Sequence, residues 1–351
     1  MKREQIWEIA NAVLYEGYLL YPYRHSALKN RQRWNIGVVY PREYTEARGG
    51  IEPCAMRTEC LVVATGAQAT LDVTVRFLHL LTRSSAQPGA DVGPFDSWQE
   101  GVERAYTARG LALDMLTTQE HRVDIQEPSA WMEEADERSG ATITREQQSL
   151  SGAITISATP MEASADPDAP HAPIFKVAVH VENTTLLRRP ISESYEVALL
   201  RAFVSTHAIL EVSGGAFVSL LDPPASLRAE VDGCQHQGAY PVLAGDEGQR
   251  DTMLCSPIIL YDYPRIASES AGGLFDGTEI DEILSLRILT LSDEEKAELR
   301  DGDERARAIL ERTESLSAEQ LMKLHGVIRA LGPASAPRAP TAGSEGSAAD
   351  E

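Results

Sequence analysis

The densest group of side chains able to do chemistry runs from Tyr261 to Leu284. Asp262, Glu269, Asp276, Glu279, Asp281 and Glu282 place six carboxylates within 21 residues that also hold a proline turn, a Gly-Gly pair and a helix start. Carboxylates gathered on loops beside a helix supply the oxygen ligands that Mg²⁺ or Ca²⁺ requires. Asp276, Glu279 and Glu282 are the candidate metal ligands, although their spacing matches no EF-hand. A structural use competes with that chemistry. Glu279, Asp281 and Glu282 fall in the first turn of a helix that Thr278 can cap, where negative charge complements the helix dipole.

A second group is basic and aromatic. From Gly17 to Arg42 the chain carries no acidic residue, while Arg24, Lys29, Arg31, Arg33 and Arg42 supply five cations among tyrosines and Trp34. Cations interleaved with aromatics can stack on bases or take phosphates. They can equally pair with the acidic 262–282 segment or dock an acidic partner. The net charge of −21 favours pairing and protein docking over nucleic acid. The candidate binding residues are therefore Arg24, Lys29, Arg31, Arg33 and Trp34, with Tyr261 and Asp262 from the acidic side.

Sulfur offers less. Cys54 and Cys60, and Cys234 followed by His236, could join a mixed Cys/His site only if the fold gathered them. Buried, reduced thiols are the simpler reading of four cysteines without CxxC spacing. The chain has no GxSxG elbow, no HExxH, no GxGxxG and no GxxxxGK[ST] loop, so no catalytic residue is assigned. His79 and His207 sit in apolar runs and read as core or interface residues. No motif calls for a cofactor, and a divalent metal on the acidic segment is the one group the sequence leaves open.

The elements that must position these groups follow from length and periodicity. With 351 residues and 43% hydrophobic content, the chain can build a sizeable core. Its apolar runs are too short to span a bilayer, and the charged N-terminal stretch lacks a secretory pattern, so a soluble, cytoplasmic protein without membrane insertion is expected. Ile6, Ile9, Ala10, Val13 and Leu14 predict a helix over 4–15, followed by an extended segment after the Gly17 and Pro22 breaks. Strands are predicted over 34–40, 59–64 and 70–81, the last two paired with each other; 83–95 reads as a loop and 97–140 has weak periodicity. Alternation over 149–158 and 174–181 predicts a hairpin with a long loop, and 193–207 carries helical spacing. Strand, Gly-Gly and strand follow over 209–221, then a buried strand or extended core segment near 253–264. Capping-box pairs Ser292/Glu295 and Ser317/Gln320 mark helices further on.

The expected class is α+β, with a mainly antiparallel, sandwich-like β core, flanking helices and a C-terminal helical segment. Residues 1–277 form the mixed core, with two subdomains that would meet near 150 as an open alternative. Residues 278–331 are helical, and the Pro/Ala/Gly/Ser-rich stretch 332–351 is expected to be disordered.

Three stretches resemble a known but uncharacterised family. They are Ala12 to Trp34, Ser219-Leu-Leu-Asp-Pro-Pro, and Ser256-Pro-Ile-Ile-Leu-Tyr-Asp-Tyr-Pro through Phe275-Asp-Gly-Thr-Glu-Ile-Asp-Glu-Ile-Leu. The family is the one encoded beside nickel-iron hydrogenases of the high-affinity, actinobacterial type. The resemblance spans most of the chain from 12 to about 330. It implies a non-catalytic accessory or assembly factor that binds a hydrogenase subunit or maturation factor. It carries over no catalytic residues. The alternative is a metal-dependent enzyme using the acidic 262–282 segment.

Overall fold

β2 (Thr70–Ala86) organises the molecule, because its two edges serve three partners. The computed structural model describes residues 2–19, 36–66, 68–86, 97–135, 141–161, 172–187, 194–265 and a few positions between 292 and 315. Along one edge β2 pairs antiparallel with β3 (Ser97–Ala112) from Thr70↔Ala112 to Ser84↔Ser97. Along the other edge its first half pairs with β9 (Val204–Ser213) and its second half with β6 (Thr142–Gln147). β12 (Thr252–Ser256) and β11 (Tyr240–Leu243) extend the sheet beyond β9, and β5 (Ala130–Ala135) extends it beyond β6.

The second sheet is antiparallel in the order β10 (Gly215–Phe217), β1 (Ala55–Ala64), β8 (Ile174–Asn183), β7 (Leu150–Pro160) and β4 (His121–Glu127). The two sheets pack face to face. Leu71, Val73, Val75 and Phe77 of β2 and Leu210 of β9 share one core with Cys60 and Val62 of β1, Ile154 and Ile156 of β7, and Val177, Val179 and Val181 of β8. This is the alternation expected of strands with one buried face, and it produces the mainly β, α+β fold predicted. Each sheet takes strands from both sides of residue 150.

The predicted N-terminal helix is present but longer. α1 (Lys2–Leu19) continues through Gly17, where an extended segment was expected. Ile6, Ile9, Ala10 and Val13 are buried with Ile209, Val242 and Leu254, so α1 covers the outer face of β9, β12 and β11. Arg76 ties the helix to β2, donating to Asn11 Oδ1 at 2.7 Å and lying 4.7 Å from the Trp7 ring centroid. No helix among the described residues is long and apolar enough to cross a membrane.

Four local expectations are corrected. β1 and β2 do not pair with each other. The chain crosses between sheets at 65–69, so the two apolar runs face each other through the core instead of across a ladder. Residues 193–207 are not one helix. α4 covers Tyr195–Leu199, with Ser194 as N-cap accepting from Val197 N, and β9 starts at Val204. Phe203, whose spacing suited a helix, instead exchanges backbone hydrogen bonds with Val39 at 2.8 and 3.1 Å. Of the stretch predicted as a strand near 34–40, the described residues 36–40 carry a bridge at Val39 and no longer ladder. Finally, β2 extends to Ala86, and the weakly periodic stretch after 97 contains β3, α3 (Leu113–Leu116), β4 and β5.

Candidate functional site

The site begins with a bulge. Arg76 pairs with His207 and Leu78 with Val204, so β9 holds one more residue than β2 between these rungs, and Ser205 takes φ 52. Bulges of this kind bend a strand and re-aim its side chains. The segment Ile36–Tyr40 crosses the bulge: Ser205 N donates to Ile36 O at 3.0 Å and Thr206 N to Gly37 O at 2.9 Å. Gly37 has φ +54, and a Cβ there would lie 2.8 Å from Pro257 Cβ, so the crossing requires glycine. Asn183, fully buried, donates through Nδ2 to Val39 O and Arg201 O, both at 2.9 Å, and anchors the segment from the other sheet.

Above this crossing lies a cavity of about 390 Å³, within the range of small ligand or side-chain pockets. Val38–Tyr40, Ile51–Pro53, Ala55, Met56, Tyr195, Thr206, Gly238 and Pro257 line it. Its polar groups are few. Tyr40 donates its phenol to Tyr195, and burial first, then that hydrogen bond, pushes the Tyr40 phenol far above its ordinary value. Tyr44, on α2 (Arg42–Ala47), stacks on Tyr40 at 5.3 Å between centroids, and Arg48 lies over Tyr44 at 5.2 Å. The Thr206 hydroxyl donates back to Phe203 O. Glu52 is the one carboxylate in the lining, and Ile51 stands 84% exposed at the rim. Two protonated phenols, one carboxylate and apolar walls can hold an inserted side chain or short segment.

His207 lies behind the bulge and donates Nδ1–H to Ser205 O at 2.8 Å; burial lowers its pKa to about 3. The ring is neutral and holds the bulge in shape.

The sequence-predicted residues divide sharply. Asp262 is committed to the fold: it accepts from Leu243 N at 2.8 Å and from Ser219 Oγ at 2.5 Å, while that hydroxyl accepts from Asp222 N at 2.9 Å. Ser219–Pro224 and Ser256–Pro264 are thereby tied to each other. Tyr261 is 82% exposed and Ile259 96%, four and two residues beyond the cavity wall at Pro257. Arg42 forms an ion pair with Glu182. Arg24, Lys29, Arg31, Arg33, Trp34, Asp276, Glu279 and Glu282 lie outside the described residues, as does most of 278–351.

The thiols are free, with Cys60 and Cys255 buried. Burial pushes the Cys255 thiol up to about 12 and that of Cys234 up to about 11, so both stay protonated. Among the described residues no three His, Cys, Asp or Glu side chains are placed to hold a metal ion.

Two charged clusters escaped the sequence reading. Glu59, 2% exposed on β1, accepts from Arg57 Nε at 3.1 Å and from Gln235 N at 2.9 Å, with Lys176 Nζ 3.7 Å away. Burial opposes its ionisation, but these partners together hold its carboxyl below the ordinary value. Beside the middle of β2, Arg104 pairs with Glu127 at 2.7 Å, and Tyr106 donates to the same carboxylate at 2.7 Å; further along, Glu100 lies opposite Leu81. Arg145 there bridges Glu100 and Glu134 at 3.0 and 2.5 Å. Arg57 and Glu59 stand two apart on one strand, but their other partners, and all the partners of the second cluster, come from other elements, which no single-strand pattern reveals.

Compared with known proteins, the chain matches no family model and no curated protein sequence.

Proposed function

We propose that this chain is a cytoplasmic, non-catalytic accessory that binds a partner protein through the cavity over the β9 bulge. The observation that carries the reading is the cavity itself, with apolar walls, paired phenols held protonated and an exposed Ile51 at its mouth. Such a lining suits insertion of an apolar anchor residue with a hydrogen-bonding group, the arrangement that dominates protein–protein affinity. The resemblance over 12–34, 219–224 and 256–284, to a family encoded beside nickel-iron hydrogenases, supports a hydrogenase subunit or one of its maturation factors as the partner. Both Pro257 in the cavity wall and Gly37 beneath it lie in or beside those stretches.

The test is affinity capture of the tagged full chain from its native cytoplasm, with identification of what co-elutes, against the double variant Ile51→Asp/Ile259→Asp. Both side chains are exposed, so the variant keeps the native melting temperature. Hydrogenase subunits or maturation factors in the wild-type eluate, lost with the variant, support the reading. A wild-type eluate without them removes the hydrogenase partner, and undiminished recovery with the variant removes the cavity.

A further inference from the structure

β5 differs from every other strand among the described residues. All six residues, Ala130-Trp-Met-Glu-Glu-Ala, are exposed, and among the described residues β5 pairs only with β6. Every second residue of an antiparallel edge strand directs its N–H and C=O outward, unpaired. Edges are commonly protected by proline, lysine, a bulge or a covering element. β5 has no proline or lysine, and its register with β6 is regular from Ala130↔Gln147 to Ala135↔Thr142. What it has is negative charge. From Asp124 to Glu137 the chain carries six carboxylates and no Lys or Arg.

The register sorts these groups onto two faces. Trp131, 62% exposed, shares its face with Glu133 two residues on and with Glu146 directly across on β6. Met132, 55% exposed, shares the other face with Arg145 and Glu134, which pair with each other at 2.5 Å. One face therefore offers an aromatic ring between two carboxylates, a setting that attracts Lys or Arg by charge and by cation–π contact. The opposite face offers a thioether beside an already neutralised pair.

We propose that the free edge of β5 docks an extended, basic segment of a partner protein as an added strand, with Lys or Arg alternating with apolar residues. Main-chain hydrogen bonds to β5 hold the segment, its cations lie on Trp131, Glu133 and Glu146, and its apolar side chains lie on Met132. The acidic pair also rejects a second copy. Self-pairing of β5 about a two-fold would bring two Glu133-Glu134 pairs onto one short ladder, where like charges repel. This proposal rests on the reading of the chain as a protein-binding protein but not on the cavity.

The test uses the full chain and a fluorescent octapeptide of alternating lysine and valine, titrated at low ionic strength. Saturable binding is expected, weakened about tenfold or more by Glu133→Lys and by Trp131→Ala, a change of about 1.4 kcal/mol for each factor of ten. A peptide of equal charge with proline in place of each valine should not bind, because it cannot complete the ladder. Ile51→Asp should leave peptide binding unchanged, so failure of the cavity reading and failure of this one are separable. Equal binding by wild type, Glu133→Lys and Trp131→Ala, or full binding of the proline peptide, overturns the proposal. So does a wild-type dimer in sedimentation that Trp131→Ala dissociates, since the edge would then belong to a second copy.

Discussion

The inner face of β2 holds two kinds of chemistry in one strand. In its first half Leu71, Val73, Val75 and Phe77 meet the opposite sheet, and all are at most 1% exposed. In its second half the same face continues as His79, Leu81 and Arg83, whose cross-strand neighbours are Val102, Glu100 and Trp98 on β3 and Gln147 and Arg145 on β6. The first half is held by apolar burial; the second by charges that neutralise one another, Arg83 and Arg145 against Glu100 and Glu134, with the Arg104–Glu127 pair at the junction, opposite Phe77. The sandwich therefore ends in a closed polar network that supports the β6–β5 extension. Charges consumed this way are unavailable to a partner, so the proposed docking sites are the exposed groups on β5 and the cavity beside β9.

Three perturbations sharpen that contrast. Phe77→Ala in the apolar half should have the largest effect, a loss of about 3–5 kcal/mol in urea unfolding, because the ring is fully buried against Phe203 at 4.6 Å. Glu127→Ala, at the junction of the two halves, should cost less, about 2 kcal/mol. It leaves Arg104 and the Tyr106 hydroxyl without their carboxylate, at a site that retains some solvent contact. A cost equal to that of Phe77→Ala would show that the network is as essential as the core.

The third perturbation is acid. His79 is buried beside Arg104 and the Gln148 backbone, and burial lowers its pKa to about 4, against 6.5 for a free imidazole. The unfolded chain therefore binds a proton between pH 6.5 and about 4 that the folded chain excludes. Stability present above pH 6.5 is lost as pH falls through this window. His79→Leu should reduce the loss between pH 7 and 5 by about 1–2 kcal/mol, leaving the contribution of His207, which faces Arg76. Unchanged acid sensitivity in the variant would mean that His79 is accessible to protons in the folded state.

The same contrast explains what was legible in the sequence. α1 and the β7–β8 hairpin were readable because each presents one apolar face, Ile6, Ile9, Ala10 and Val13 in the helix, Ile154 and Ile156 against Val181 and Val179 in the strands. β3, β5 and β6 were not. Their inner-facing positions include Glu100, Arg104, Met132, Glu134 and Arg145, so polar residues occupy both faces and the period-two signal disappears. The helix expected over 193–207 failed because the apolar spacing of Tyr195, Leu199, Ala202 and Phe203 is shared between a short helix and the approach to a bulge. The cavity had no local signature at all. Tyr40, Ile51, Tyr195, Gly238 and Pro257 come from five separate parts of the chain. Of the predicted binding residues, Tyr261 lies exposed and Asp262 is used within the fold.

Photo-crosslinking from the cavity mouth tests the central claim most directly. A benzophenone amino acid would replace Ile51, with the same replacement at exposed Met115 on α3 as reference, in the native cytoplasm. The account predicts an adduct with a hydrogenase subunit or maturation factor from position 51 and none from position 115. Equal adducts from both positions, or none containing a hydrogenase component, would contradict it.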